Sequence, residues 1–205
     1  MWRSRDVAHD TPIAVLTCDM GKPDNIILIG MKSSGKTTAG RLLARRLRAR
    51  FIDMDAEIEK WHAAQRGERL PFREIFKKHG GDYFRATETA ALRALVERPP
   101  AGRYVLSTGG GLPLSAENRE ILRGMGIIVF LDVREDVLLA RIVAGGIPAF
   151  FPHKDDPRRS LTEIMAVRQP IYSGLATIHL KSGEETPEEN VEKLIGQLEK
   201  LHREN

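Results

Sequence analysis

Ile26-Ile27-Leu28-Ile29 runs directly into Gly30-Met31-Lys32-Ser33-Ser34-Gly35-Lys36-Thr37-Thr38, and this junction of an apolar run with a glycine-bounded loop decides the fold. The spacing is a glycine, four residues, then Gly-Lys-Thr, which suits a loop whose backbone N–H groups turn inward around phosphates before a helix begins. Such a loop takes a nucleoside triphosphate. Lys36 is expected to reach the β and γ phosphates, and the Thr37 hydroxyl to ligate Mg²⁺. A Gly-Lys-Thr string can also fall by chance in a surface turn, but this one follows a strand-like run. The destination of the phosphate stays open, because kinases, GTPases and motor ATPases share the loop.

At 205 residues with 41% apolar content, the chain suits one sizeable core and is short for two enzymatic domains. The formal charge of +4 is spread along helical segments with acidic neighbours, so no nucleic-acid partner is expected, while small anionic ligands are welcome. Cys18, the single cysteine, stands outside any metal or redox spacing. Neither a disulfide framework nor a zinc site is expected, and a reducing cytoplasm fits. No run approaches the roughly 20 apolar residues of a membrane span, so the expectation is a soluble chain with no membrane partner. Residues 1–24 carry Arg3, Arg5 and an apolar patch too weak for a secretory signal. They read as an N-terminal extension, either a flexible tail or an over-long gene start ending at Met20.

Apolar runs alternate with helical segments, as in a parallel sheet flanked by helices. Strands are expected at 25–29, 51–53, 104–108, 127–132 and 177–180. Between the first two, Leu42, Leu43 and Leu47 fall at helical spacing over 38–50, with arginines on the wet face. Helices at 55–62, 71–78 and 82–97 would form an insertion after the second strand, about 54–98, that stops before Pro99-Pro100. A helix at 134–143 should end at Gly145-Gly146. Residues 145–160 mix proline, phenylalanine and charge without a period and read as a mobile loop. Helix resumes at 161–167 and at 187–202. The expected fold is an α/β P-loop domain over 25–205 with a five-stranded parallel sheet.

Three further constellations bear on chemistry. Asp53 and Asp55, at i and i+2 on the exit of a strand, emerge on one side, near where phosphates and metal should lie. One could serve Mg²⁺ and the other an acceptor hydroxyl; equally, Asp55 could N-cap the next helix. Gly109-Gly110-Gly111 after the third strand carries an entropic cost that a mere connection seldom tolerates, which points to close approach of a ligand, with a plain turn as the alternative. Arg85 and Arg168 would suit an acidic substrate, since a guanidinium holds a carboxylate through two parallel hydrogen bonds. Ordinary solvation accounts equally well for either arginine alone.

In chain order, the glycine loop, Phe51-Ile52-Asp53-x-Asp55, Glu74-Ile75-Phe76, Phe84-Arg85 with Glu88, Ser107-Thr108-Gly109-Gly110-Gly111 and Arg168-x-Pro170-x-Tyr172 together resemble the shikimate kinases. The likeness runs from about residue 25 to about residue 177. It implies an adenylate-kinase-like arrangement, with a lid at about 145–160 folding over ATP and the helical insertion holding shikimate. It implies a cytoplasmic enzyme of aromatic amino-acid biosynthesis that phosphorylates the shikimate 3-hydroxyl and releases ADP. By position, Asp55 would bind and help deprotonate that hydroxyl, Asp53 would act near Mg²⁺ through water, and Arg85 with Arg168 would clamp the carboxylate. Gly109, Gly110 and Gly111 would line the substrate ring. Arg141 matches the position from which the family packs an arginine on adenine, although a solvated helix arginine also fits.

The chain departs from the family at one place. Where the lid usually carries an Arg-Pro-Leu stretch whose arginine reaches the transferring phosphate, this sequence has Ile147-Pro148-Ala149-Phe150-Phe151. Lys154, Arg158 and Arg159 are the candidate replacements, the two arginines foremost, although the same residues would also keep an exposed loop soluble. Two rival readings remain at this level: a kinase of the same architecture for another small hydroxylated acid, and a nucleotide-binding regulatory protein that has lost transfer chemistry. Intact Lys36, Asp53 and Asp55 argue against the second.

Overall fold

Four consecutive apolar residues with nothing polar between them belong in the middle of a sheet, covered on both faces. Strand β1 (Ile26–Ile29) is that strand: Ile27 and Ile29 enter one core and Ile26 and Leu28 the other. The computed structural model describes residues 25–148 and 150–204, so the expected extension over 1–24 lies outside the described residues. Around β1, strands β2 (Arg50–Asp53), β3 (Tyr104–Ser107), β4 (Ile127–Val133) and β5 (Ile178–Ser182) complete a parallel sheet in the order β2-β3-β1-β4-β5. At the edge, β5 alternates buried Ile178, Leu180 and Ser182 with exposed His179 and Lys181, the pattern of a strand with one dry face.

Register sets the site. Ser107 pairs with Asp53 on one side and with Leu28 on the other. The carboxyl ends of β2, β3 and β1 therefore finish in one row, and the segments that leave them share one crevice. The chain from β1 reaches β2 by passing β3, while β4 lies on the opposite side of β1, and ligands bind at such reversals of strand order.

Helix α1 (Lys36–Arg46) follows β1, burying Ala39, Leu43 and Ala44. It is shorter than expected: Leu47 caps it and Arg48 takes a left-handed φ of 52°, which turns the chain into β2. Leu42 and Leu47 are only partly buried, so Leu43 is the centre of that stripe. Helices α2 (Met54–Arg66) and α3 (Phe72–Glu97) connect β2 to β3 and pack on each other. Gly67, at φ 66°, ends α2, and Gly80 (φ 83°, ψ 173°) kinks α3, so the two expected helices at 71–78 and 82–97 are the arms of one bent element. The Glu59 carboxylate accepts the Phe72 N–H at 2.8 Å and supplies the cap that Pro71 lacks.

A 3₁₀ turn at Leu112–Leu114 and helix α4 (Ala116–Met125), neither expected, follow β3. Helix α5 (Glu135–Gly145) stands close to expectation. The expected loop is not structureless: Asp156 caps helix α6 (Pro157–Leu175) through the Arg159 N–H, four residues upstream of the expected start. Helix α7 (Pro187–Glu204) buries Val191, Leu194, Ile195 and Leu198 against α1 and β5. Among the described residues, no helix is long and apolar enough to cross a membrane.

Candidate active site

Backbone geometry builds the phosphate loop. Gly30 sits at φ 142°, and a β-carbon there would stand 2.8 Å from the Leu131 carbonyl oxygen, so only glycine fits. Gly35, at φ 91°, opens α1 without a side-chain cap, and the first turn of that helix holds no acid. The leading N–H groups are thereby left for an anion. Lys36 is buried. Its Nζ donates to the carbonyls of Gly30 (3.0 Å) and Met31 (2.7 Å) and to Ser34 Oγ (3.3 Å). Burial lowers its pKa to about 8, against the opposing pull of Asp55 and Asp53.

Asp53 closes β2 and caps α2: its Oδ1 accepts the Asp55 N–H at 3.2 Å. The cap that the sequence offered to Asp55 thus belongs to Asp53, and Asp55 lies within the first turn of the helix. Burial, then the charge of Asp53, raises the Asp55 pKa to about 6, with Lys36 holding it down. Thr37 Oγ1 stands 3.4 Å from Asp53 Oδ2 and 3.5 Å from Ser107 Oγ. These are hard oxygen donors of the kind Mg²⁺ accepts.

The three glycines give room to the protein's own side chains, and none of them has a positive φ. A β-carbon at Gly111 would fall 2.3 Å from Arg85 Nη1, one at Gly109 would meet Asp55 Oδ1 at 3.3 Å, and one at Gly110 would stand 3.3 Å from the Lys32 nitrogen and 3.7 Å from Arg168 Nη1. Asp55, Arg85, Arg168 and the phosphate loop therefore converge on one strip of bare backbone. The strip is anchored from both sides. Thr108 donates through N (3.1 Å) and Oγ1 (3.0 Å) to the Leu28 carbonyl, and the fully buried Tyr172 donates its hydroxyl to the Gly110 carbonyl at 2.5 Å. Arg85 is paired with Glu88, whose burial raises its pKa against the pull of that guanidinium.

The family model described as shikimate kinase matches residues 32–199. The shikimate kinase of Bordetella pertussis is 39% identical over 176 residues, covering 86% of this chain and 77% of that protein. The chain belongs to the shikimate kinase family. The Psychrobacter cryohalolentis shikimate kinase is 36% identical, with 85% of this chain and 88% of that protein covered. In three dimensions the chain is similar to the shikimate kinase from Acinetobacter baumannii solved in complex with shikimate, with a TM-score of 0.73, 32% identity, and 86% and 93% of the two chains covered. Shikimate kinases are ATP-dependent kinases, and this family member carries the loop for that nucleotide.

In this shikimate kinase family member, Arg141 lines a cleft of about 300 Å³ with Ser33, Ser34, Gly35 and Thr38, so the structure brings it to the phosphate loop. The lid candidates are not brought there. None of the three lines that cleft; Arg159 Nε pairs with Glu163 at 2.9 Å, and Lys154 and Arg158 are exposed and make no ion pair among the described residues. Phe151 is buried, while Phe150 lies under the Arg168 guanidinium, 5.2 Å from its ring centroid. Two side chains of the site escaped the sequence reading. Arg73, in the first turn of α3, sets a positive charge near both Lys32 and Asp55, adding to the burial that lowers the Lys32 pKa and opposing the burial that raises that of Asp55, and Tyr172 braces Gly110. Tyr172 stood inside a motif already noticed; Arg73 has no local signal.

Proposed function

We propose that this protein transfers the γ-phosphoryl group of ATP to the 3-hydroxyl of shikimate, giving shikimate 3-phosphate and ADP, in the cytoplasm. One observation carries the reading: a carboxylate with its pKa near 6 and two guanidinium groups meet on the Gly109–Gly111 strip beside the phosphate loop. Asp55 takes the hydroxyl proton, since a base whose pKa lies near the working pH combines availability with proton affinity. Arg85 and Arg168 hold the carboxylate, and the bare glycine backbone accepts the flat ring. Residues Gly30 to Thr38 hold the triphosphate, Lys36 neutralises charge between its β and γ phosphates, and Arg141 packs on adenine.

Thr37 would hold Mg²⁺ directly and Asp53 through water, and the ion would supply positive charge against the triphosphate. Residues 54–98 act as the acceptor-binding insertion and residues 145–160 as the lid, from which Lys154, Arg158 or Arg159 supplies a cation on closure. The test is acceptor-stimulated ADP release over a panel of hydroxy acids. Shikimate should give the highest kcat/KM, with the product phosphorylated at the 3-position. A different acid giving higher turnover while shikimate gives none would overturn the assignment.

A further inference from the structure

Between α2 and α3 the fold gathers His62 from α2, Glu68 from the turn after Gly67, and His79 from α3 just before its kink at Gly80. Five and ten residues separate these positions along the chain, a spacing that matches no ligand pattern, which is why the sequence suggested no zinc site. In space, one ligand atom from each lies within 4.8 Å of the others.

We propose that His62 Nε2, Glu68 Oε2 and His79 Nε2 form a binding site for one Zn²⁺-like divalent cation that braces the two helices of the insertion. Two imidazoles and a carboxylate are a donor set that zinc accepts, with a fourth position left to water. Ligands about 2.0–2.1 Å from a tetrahedral zinc stand roughly 3.3–3.4 Å apart. Here His62 Nε2 and His79 Nε2 are 3.5 Å and 3.4 Å from the same oxygen, Glu68 Oε2. The other carboxylate oxygen, Oε1, is taken by Lys78, which leaves Oε2 facing the two rings.

The independent sign of a ligand is His62. Its side chain is wholly buried, and Nε2 faces Glu68 Oε2 at 3.5 Å, too long for a well-formed hydrogen bond. An unpartnered buried polar atom is destabilising by roughly the desolvation of that group, and such atoms are rare in native interiors. On the opposite side of the ring, Nδ1 is 2.8 Å from the Tyr83 hydroxyl. Donation of the Nδ1 proton to that oxygen leaves the Nε2 lone pair directed at the cluster, the arrangement that holds metal-ligating histidines in place. Tyr83 also packs its ring against His79 at a tilt, with centroids 4.7 Å apart, so one residue touches both imidazoles.

The experiment uses the tag-free full chain, stripped with a chelator and dialysed against micromolar Zn²⁺. Wild type should retain one Zn²⁺ per chain and melt at a higher temperature with the metal than without it, and Co²⁺ in its place should show the intense visible absorption of four-coordinate cobalt. Glu68→Gln and His79→Ala change partly exposed residues and so leave folding intact; each should weaken Zn²⁺ binding by more than tenfold. Tyr83→Phe should weaken it roughly 10- to 100-fold, as loss of an orienting partner does. His153→Ala, at a separate histidine–carboxylate contact, should leave it unchanged. No Zn²⁺ retained by wild type, or equal retention in Glu68→Gln and His79→Ala, would overturn the site and leave a hydrogen-bonded cluster without a metal. These readouts do not depend on kinase activity, so they stand or fall separately from the acceptor assignment.

Discussion

Arg85 and Arg159 each pair with a glutamate one helical turn further on, yet the two pairs do different things. Glu88, the partner of Arg85, has a side chain only 3% exposed, whereas Arg159 and Glu163 are 62% and 47% exposed. An exposed i,i+4 pair is screened by solvent and readily exchanged for water. A buried carboxylate deprived of its cation is left without compensation, so Glu88 commits Arg85 to its place over Gly111. Arg85 is thus held over Gly111 before any ligand arrives, whereas Lys154, Arg158 and Arg159 are surface groups with weak ties. On the proposed reading, positioning falls to residues 54–98 and adaptability to residues 145–160.

The strongest way to break this comparison is at Asp55, the carboxylate beside Gly109. Asp55→Asn should lower kcat by roughly 10²–10⁴ while ATP affinity changes little. Lys36→Met, which removes charge neutralisation on the other side of the reacting centre, should lower turnover at least about a hundredfold in a folded protein. In wild type, kcat/KM should rise as pH passes through about 6 and Asp55 ionises, then fall above about 8 as Lys36 loses its proton. The stability effect has the opposite sense. The folded pKa of Asp55 is raised from 3.8 to about 6, so the fold binds the extra proton and its stability declines with rising pH between those values. Asp55→Asn should therefore melt a few degrees higher than wild type at pH 7.5, a gain on the order of 1–3 kcal/mol. A variant that is both inactive and less stable would show that Asp55 serves the fold.

A smaller effect tests the proposed carboxylate clamp itself. Arg85→Ala and Arg168→Ala should each raise the acceptor KM by roughly 10- to 100-fold, as loss of a charge-assisted pair does, and leave the KM for ATP nearly unchanged. Gly111→Ala should mimic Arg85→Ala, because the added methyl would occupy the space of the guanidinium, 2.3 Å from Nη1. Gly109→Ala, with its nearest neighbour at 3.3 Å, should do less. Equal KM values in Gly111→Ala and wild type would show that Arg85 reaches the acceptor by another route.

These same residues show what the sequence could convey. The glycine loop, Asp53, Asp55 and the three glycines were legible because each needs a particular residue type at a strand exit, and strand exits are local. The purpose of Gly111 was not, since the group it accommodates comes from Arg85, on a helix 26 positions earlier in the chain. Helix α4 was legible and passed over: Ser115 accepts the Asn118 N–H, and Asn118, Leu122 and Met125 are spaced to bury one face before Gly126. The start of α6 had a signal too, in Asp156 as cap and Pro157 at the first helical position. The roles of Arg73 and the meeting of His62 with His79 depend on how α2 folds against α3, which no periodicity encodes.

The smallest expected effect lies in the lid, where the family's usual arginine is replaced by Phe150 and its neighbours. Phe150 is half-exposed and lies against the Arg168 guanidinium, a contact that on the proposed reading joins the lid to the carboxylate clamp. A cation over the γ-phosphate must then come from further along the chain. Arg159 would have to leave Glu163, and its main chain is held by the Asp156 cap. The backbone of His153 is pinned by two hydrogen bonds with Ser160 Oγ, both at 2.9 Å, which limits how far Lys154 can travel. Arg158 is exposed, makes no ion pair among the described residues and carries a guanidinium whose fork suits phosphate oxygens. Arg158→Ala should therefore lower kcat roughly tenfold with acceptor KM little changed, less than the 10²–10³ lost with a donor held in place before the reaction. Lys154→Ala and Arg159→Ala should each stay within about twofold of wild type, the range of a weak surface contact. If Arg159→Ala has the larger effect, closure rearranges the first turn of α6 and the pair with Glu163 is a latch; if all three variants keep full kcat, the lid contributes no cation to the transfer.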